Sequence, residues 1–190
     1  MYSILTIYRE WQIDAMILPD WKWRLRNQGL LDKSETAQGL IEPLTVDYPK
    51  LKRLEFDYLR SGSLEIFSAQ LVDFLKPRIH AEFFPIQGTH IGKPYTERTF
   101  FFTHFLDQLA TIDMERSVYT EYGPEAGGGF MNIEKLVLRP EKTHNSAAFV
   151  MDELGLSCFR NDLCQQITDA GFKGLRFIPI EEYQNVRPQW

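Results

Sequence analysis

Leu156-Ser157-Cys158-Phe159-Arg160-Asn161-Asp162-Leu163-Cys164-Gln165-Gln166-Ile167-Thr168-Asp169-Ala170-Gly171-Phe172-Lys173-Gly174-Leu175-Arg176-Phe177-Ile178-Pro179 reads as one packed unit of helix, glycine stop and strand. Leu156, Phe159, Leu163, Ile167 and Ala170 recur at spacings of three and four, which puts them on one stripe of a helix. Ser157 stands where its side chain can accept from the free N–H groups of a first turn, so the helix is expected to begin there. Gly171 occupies the place of a left-handed C-terminal cap, where a residue without Cβ meets no clash. Gly174 then releases the chain into a strand over Leu175–Ile178. The unit holds no catalytic group in an obvious role; it is architecture.

Further segments share this character. In Ile66-Phe67-Ser68-Ala69-Gln70-Leu71-Val72-Asp73-Phe74-Leu75-Lys76-Pro77, Ser68 is the expected N-cap and Phe67 can staple onto Val72. Pro77 ends that helix, because the residue before a proline is pushed out of the helical region. Glu82-Phe83-Phe84-Pro85-Ile86, Ile112-Asp113 with Ser117-Val118-Tyr119, and Ile133–Leu138 follow. In this order, over about residues 45 to 182, the segments resemble the immunity-protein-eleven family of bacterial polymorphic-toxin immunity proteins. The resemblance rests on the Ser-led helix ending in Leu75-Lys76, a Phe-Phe-Pro strand, the Asp113…Ser117 pair and the Leu136-Val137-Leu138 strand. Its most specific part is the closing Gly171-Phe172-Lys173-Gly174-Leu175-Arg176-Phe177-Ile178-Pro179. It implies a protein that binds a cognate toxin made by the same cell and blocks it by stoichiometric occlusion, without a cofactor.

A chain of 190 residues suits one domain, expected to span 1–190 with 1–44 as a Trp-rich N-terminal extension. At this size a domain buries about 70% of its unfolded surface. The 44% hydrophobic and 14% aromatic content supplies the core and argues against global disorder. A net charge of −5 argues against a nucleic-acid binder, which needs a basic face. Met1–Glu10 has no basic n-region or small-residue cleavage site, and no apolar run approaches the ~20 residues of a membrane helix, so a cytoplasmic protein is expected.

Along the chain, Ser3–Arg9 reads as a strand and Pro19-Asp20 as a turn, while residues 28–43 read as irregular. Ile79–Ile86 and Thr99–Thr103 are β-prone. Phe105–Ile112 fits either a strand extension or a helical turn. Gly123–Gly129, with four glycines and one proline, reads as a mobile loop. Ile133–Leu138 is a strand closed by Pro140, and Ser146–Leu156 a turn or short helix. Runs of strands beside two helices favour an α+β fold: a single domain with a mixed, largely antiparallel sheet and a few helices.

Chemistry is sparse. His80, His90, His104 and His144 show no metal-ligand spacing, and Gly127-Gly128-Gly129 lacks the Lys-Ser/Thr of a phosphate loop. Cys158 and Cys164, six positions apart, would lie about 240° apart around one helix and cannot bridge there. Cys158 beside a helix N-terminus would be mildly acidified. The rival reading is therefore a small cytosolic hydrolase or transferase using a cysteine or histidine in a pocket. Asp107, Asp113, Glu115, Glu121 and Glu125 gather around the glycine loop. They would ordinarily form a solvated face, but an inhibitor of a nuclease-like toxin would use such groups against a basic cleft. Trp21 and Trp23 are large, few-rotor anchors that would share one face of a strand. These seven are the candidate toxin contacts. No catalytic residue, metal ligand or cofactor is expected, and the partner is a protein rather than nucleic acid or membrane.

Overall fold

Ser3 and Leu5 point to one side of the first strand and Ile4 to the other, and all three are buried. A strand with no wet face must lie in a sheet covered on both sides. The computed structural model describes residues 1–6, 16–17, 44–47, 55–61, 64–90, 93–123 and 129–184. Its first elements are β1 (Tyr2–Thr6), β2 (Met16–Ile17), β3 (Leu44–Asp47), β4 (Tyr58–Ser61), β5 (Leu64–Ser68), α1 (Ala69–Leu75), β6 (Ala81–His90) and β7 (Lys93–Phe105). There follow β8 (Gln108–Leu109), β9 (Val118–Glu121), β10 (Phe130–Lys135), β11 (Ala148–Met151), β12 (Leu156–Arg160), α2 (Asn161–Asp169) and β13 (Arg176–Pro179).

The strands form a five-stranded sheet in the order β13-β1-β12-β11-β8, a six-stranded sheet β2-β3-β6-β7-β5-β4, and the hairpin β9–β10. Pairing is antiparallel except between β3 and β6 and between β11 and β8. The fold is α+β, with its strands divided among three sheets where one was expected.

Leu5, Ala148 and Phe159 leave one face of the five-stranded sheet and meet Phe67, Leu71, Leu75, Leu163 and Ile167. Ile4, Phe149, Met151 and Cys158 leave the other face and meet Ile112, Ile133, Leu136 and Ile180. The sheet thus sits between α1, α2 and the six-stranded sheet on one side and the β9–β10 hairpin on the other.

The expected helix start at Ser157 is corrected: Leu156–Arg160 is β12, and α2 begins at Asn161 with Arg160 as an uncapped N-cap in extended backbone. The strand pairs with β1 and β11 and is buried on both faces, so it has no polar alternation to distinguish it from helix. Phe159, Leu163 and Ile167 do share one apolar cluster, but Phe159 enters from the strand and the others from the helix. Ser146–Leu156 is likewise β11 and a turn ending at Gly155, not a helix. Phe105–Ile112 resolves as the end of β7, the short β8 and a bridge from Ile112 to Leu138. β10 stops at Lys135, and the 137–139 segment instead bonds to 111–113, through Asp113 N–H to Val137 O (2.8 Å) and Arg139 N–H to Thr111 O (2.8 Å).

Other expectations hold. Ser68 caps α1, its Oγ accepting from Leu71 N–H at 3.3 Å. Gly171 has a φ of 78°, the left-handed conformation expected of it; Gly174, of which only entry into a strand was expected, is left-handed too, at 89°. The two differ in surroundings: a Cβ at Gly171 would meet open space, whereas at Gly174 it would lie 2.8 Å from Phe56 Cβ and 3.1 Å from Tyr58 O.

Two stability outcomes follow. Gly171→Ala should cost about 1–2 kcal/mol from the left-handed backbone alone, and Gly174→Ala distinctly more because the contact is added. Leu163→Ala should cost about 2–5 kcal/mol. Urea unfolding of the three variants checks the order; equal losses at the two glycines would remove the role given to Phe56.

Candidate partner-binding surface

Glu65 is buried, facing the five-stranded sheet between Tyr58 and Ser157. Tyr58 O–H donates to Glu65 Oε2, Ser157 O–H donates to Oε1 at 3.0 Å, and Arg60 Nε lies 3.8 Å away. Burial raises the Glu65 carboxyl above its ordinary value; the Arg60 charge and the two hydroxyl donors partly offset this. Burial, and then the Glu65 charge, raises the Tyr58 phenol too, which keeps it a donor. Each polar atom here is turned inward, tying one sheet to the other.

Asp57 forms a second internal node. Its side chain accepts from Ser68 Oγ (2.8 Å), Arg98 Nη2 (2.7 Å) and Lys173 N–H (2.8 Å), while its own N–H donates to Lys173 O (2.8 Å). This holds the α1 start, β7 and the Gly171–Gly174 turn together.

The cysteine expectations are corrected. Cys158 lies on β12 rather than at a helix N-terminus, and burial pushes its thiol well above the ordinary value instead of acidifying it. Burial also pushes Cys164 up to about 12. A thiolate, which a cysteine nucleophile needs, is disfavoured at both.

The structure separates the candidate acidic contacts into two kinds. Asp107 accepts from Ser146 O–H and sits 2.8 Å from His80 Nδ1, so it serves as an internal tie. Asp113 accepts from Arg116 N–H at 3.1 Å, with the Arg116 guanidinium 3.8 Å away, while Ser117 N–H donates to Asp113 O at 2.9 Å. These bonds close a turn that carries Met114 and Glu115 into solvent. Glu115 and Glu121 are exposed, Glu121 at the end of β9 opposite Phe130. Trp21, Trp23 and Glu125 lie outside the described residues.

Two exposed apolar side chains, Met114 and Val118, lie on the same turn and strand. Among the described residues the exposed large hydrophobics are Met1 (81%), Met114 (41%) and Val118 (49%). Tyr119 turns inward against the Phe130 ring at 4.8 Å, so Val118 must turn outward, where it pairs with Lys135. Asn132 Nδ2 donates to Thr120 Oγ1 at 3.2 Å on the hairpin, and Glu134 is exposed beside them. The legible signal was the period of two in Val118-Tyr119-Thr120, whose direction depends on which residue reaches the core.

Among the described residues no group of three or more His, Cys, Asp or Glu is placed to hold a metal ion, and no helix is long and apolar enough to cross a membrane. The buried polar groups described above bind the chain to itself, while Met114, Glu115, Val118 and Glu121 are exposed on the turn and β9. Residues 14–182 match the model of the Immunity protein family (Imm11), and the chain belongs to that family. The match begins well before residue 45, where the resemblance had been placed, and so takes in Trp21 and Trp23. None of the curated proteins compared with the chain matches it.

Two outcomes test the inward reading of these groups. Because burial raises the Glu65 value in the folded state, that state holds the proton more tightly than the unfolded chain. The associated stability is complete below the unfolded value and is lost as pH rises through the folded one. Glu65→Gln cannot ionise, so as pH rises above the ordinary glutamate value its unfolding free energy should rise relative to wild type; a flat difference would mean no shift. Separately, a thiol-reactive disulfide reagent should label neither cysteine in the native protein and both after denaturation.

Proposed function

We propose that this chain neutralises a cognate protein toxin in the cytosol by binding it in a stoichiometric complex that covers the toxin's working surface. Membership of the immunity protein family, over residues 14–182, is the observation that carries the reading. Two free thiols, Cys158 and Cys164, suit a reducing compartment.

The contact face is the turn and hairpin from Asp113 to Lys135. Asp113 holds the turn, and Asp107 holds the β8–β11 region behind it. Arg116 and Asp113 offset each other, leaving Glu115, Glu121 and Glu134 against Lys135. Glu125, Trp21 and Trp23 stay among the proposed toxin contacts. An acidic surface of this kind complements a toxin cleft lined by lysine and arginine, and speeds encounter.

The experiment takes the product of the gene immediately upstream as the toxin to be tested. Wild type should form a one-to-one complex and restore growth to cells expressing that product. Glu115→Lys with Glu121→Lys should slow association about tenfold at low salt and flatten its salt dependence, with an unchanged melting temperature. Identical kinetics in the double variant would move the contact face elsewhere; no complex with wild type would remove the reading itself.

A further inference from the structure

We propose that the cavity where the N-terminus meets the Leu138–Pro140 segment and the Ile180 turn is an anchor pocket for one aromatic side chain of the toxin, flanked there by a lysine or arginine. The inference rests on the toxin-binding reading and names what the partner must insert.

Size sets the first limit. The cavity measures about 170 Å³ and is lined by Met1, Tyr2, Leu138, Pro140, Thr143, Ile180 and Glu181. An apolar cavity of about 150 Å³ accepts a benzene molecule, so one phenyl ring fits.

Polarity sets the second. Tyr2 O–H donates to Ser146 O at 2.9 Å, and Thr143 O–H donates to Pro140 O at 2.7 Å. Both hydroxyls are therefore committed within the protein, and the walls ask an occupant for no hydrogen bond. Glu181, exposed, is the one charged side chain lining the cavity, which favours a cationic residue beside the inserted ring.

Position supplies the third argument. Leu138 pairs with Ile112, Asp113 N–H bonds Val137 O, and Lys135 opposes Val118. The segment from Lys135 to Pro140 thus runs from the hairpin face, past the Met114 turn, to the cavity. Met1, Met114 and Val118, the exposed large hydrophobics among the described residues, all lie along it. A pocket for an aromatic anchor beside scattered apolar and acidic contacts is how interface energy is usually concentrated.

Toluene serves as the probe for the pocket, and the product of the gene immediately upstream as the toxin to be tested. Titrating toluene into methyl-labelled wild-type protein should shift the Leu138 and Ile180 methyl resonances saturably, and Leu138→Trp, which fills the space, should abolish that response. Leu138→Trp should weaken toxin binding more than about tenfold. Glu181→Lys, at an exposed site where folding is safe, should also weaken it. Absence of a toluene shift in wild type, or toxin affinity unchanged in both variants, overturns the proposal. Concentration-dependent dimerisation of wild type that Leu138→Trp abolishes would overturn it too, by making a second copy the occupant. If wild type binds no toxin while toluene still binds, the toxin-binding reading has failed and the anchor role falls with it, but the cavity stands.

Discussion

A carboxylate enclosed between two sheets constrains the rest of this molecule. Isolated in an apolar interior, an ionised carboxylate is so costly that it must be paired or neutralised. Glu65 meets that demand only where Tyr58 of β4 and Ser157 of β12 both reach it, with Arg60 behind. A slip of β5 by one residue would turn Glu65 to the opposite face and strand both hydroxyls. The same slip would withdraw Phe67 from the cluster it shares with Leu5, Phe159 and Leu163. Polar satisfaction and apolar packing therefore select one register together, and the first adds specificity that packing alone lacks.

From that register the layers follow. Ser157 facing β5 requires Cys158 and Leu156 to face away, where they meet the cluster around Ile112, Ile133 and Ile180. A sheet so committed on both sides forces the β9–β10 hairpin to supply apolar cover from Tyr119, Phe130 and Ile133. The hairpin is thin, being two strands with one inward face, so its outward residues Val118 and Thr120 go to solvent. The face proposed for the toxin is thus the far side of a structural necessity. Asp57 performs a parallel service at the other end, where Lys173 and Arg98 converge and Gly174 lets Phe56 approach.

The acidic candidates differ in their surroundings. Asp107 and Asp113 looked equivalent to Glu115 and Glu121 in sequence, yet the aspartates spend their oxygens on Ser146, His80 and Arg116. Short carboxylates readily close turns on their own backbone. The longer glutamates have no such local option and stand in solvent.

Local chemistry was legible wherever it is decided within a few residues. Ser68 as a cap, Gly171 as a left-handed position, the strand content and the α+β class were all written in the sequence, as were the motifs that placed the chain in its family. Each depends on backbone sterics or on hydrogen bonds closed inside one turn. The helix boundary at Asn161 was not legible, because a strand buried on both faces and a buried helix present the same run of apolar residues. Nor were the Glu65–Ser157 tie, 92 positions apart in the chain, and the cavity shared by Met1, Leu138 and Ile180. Those features exist only where distant segments meet. The sequence by itself determined which elements the chain can form and which family it joins; the tertiary structure alone decided which polar groups are enclosed and which faces are left for a partner, since burial is a property of the assembled layers and of no single segment.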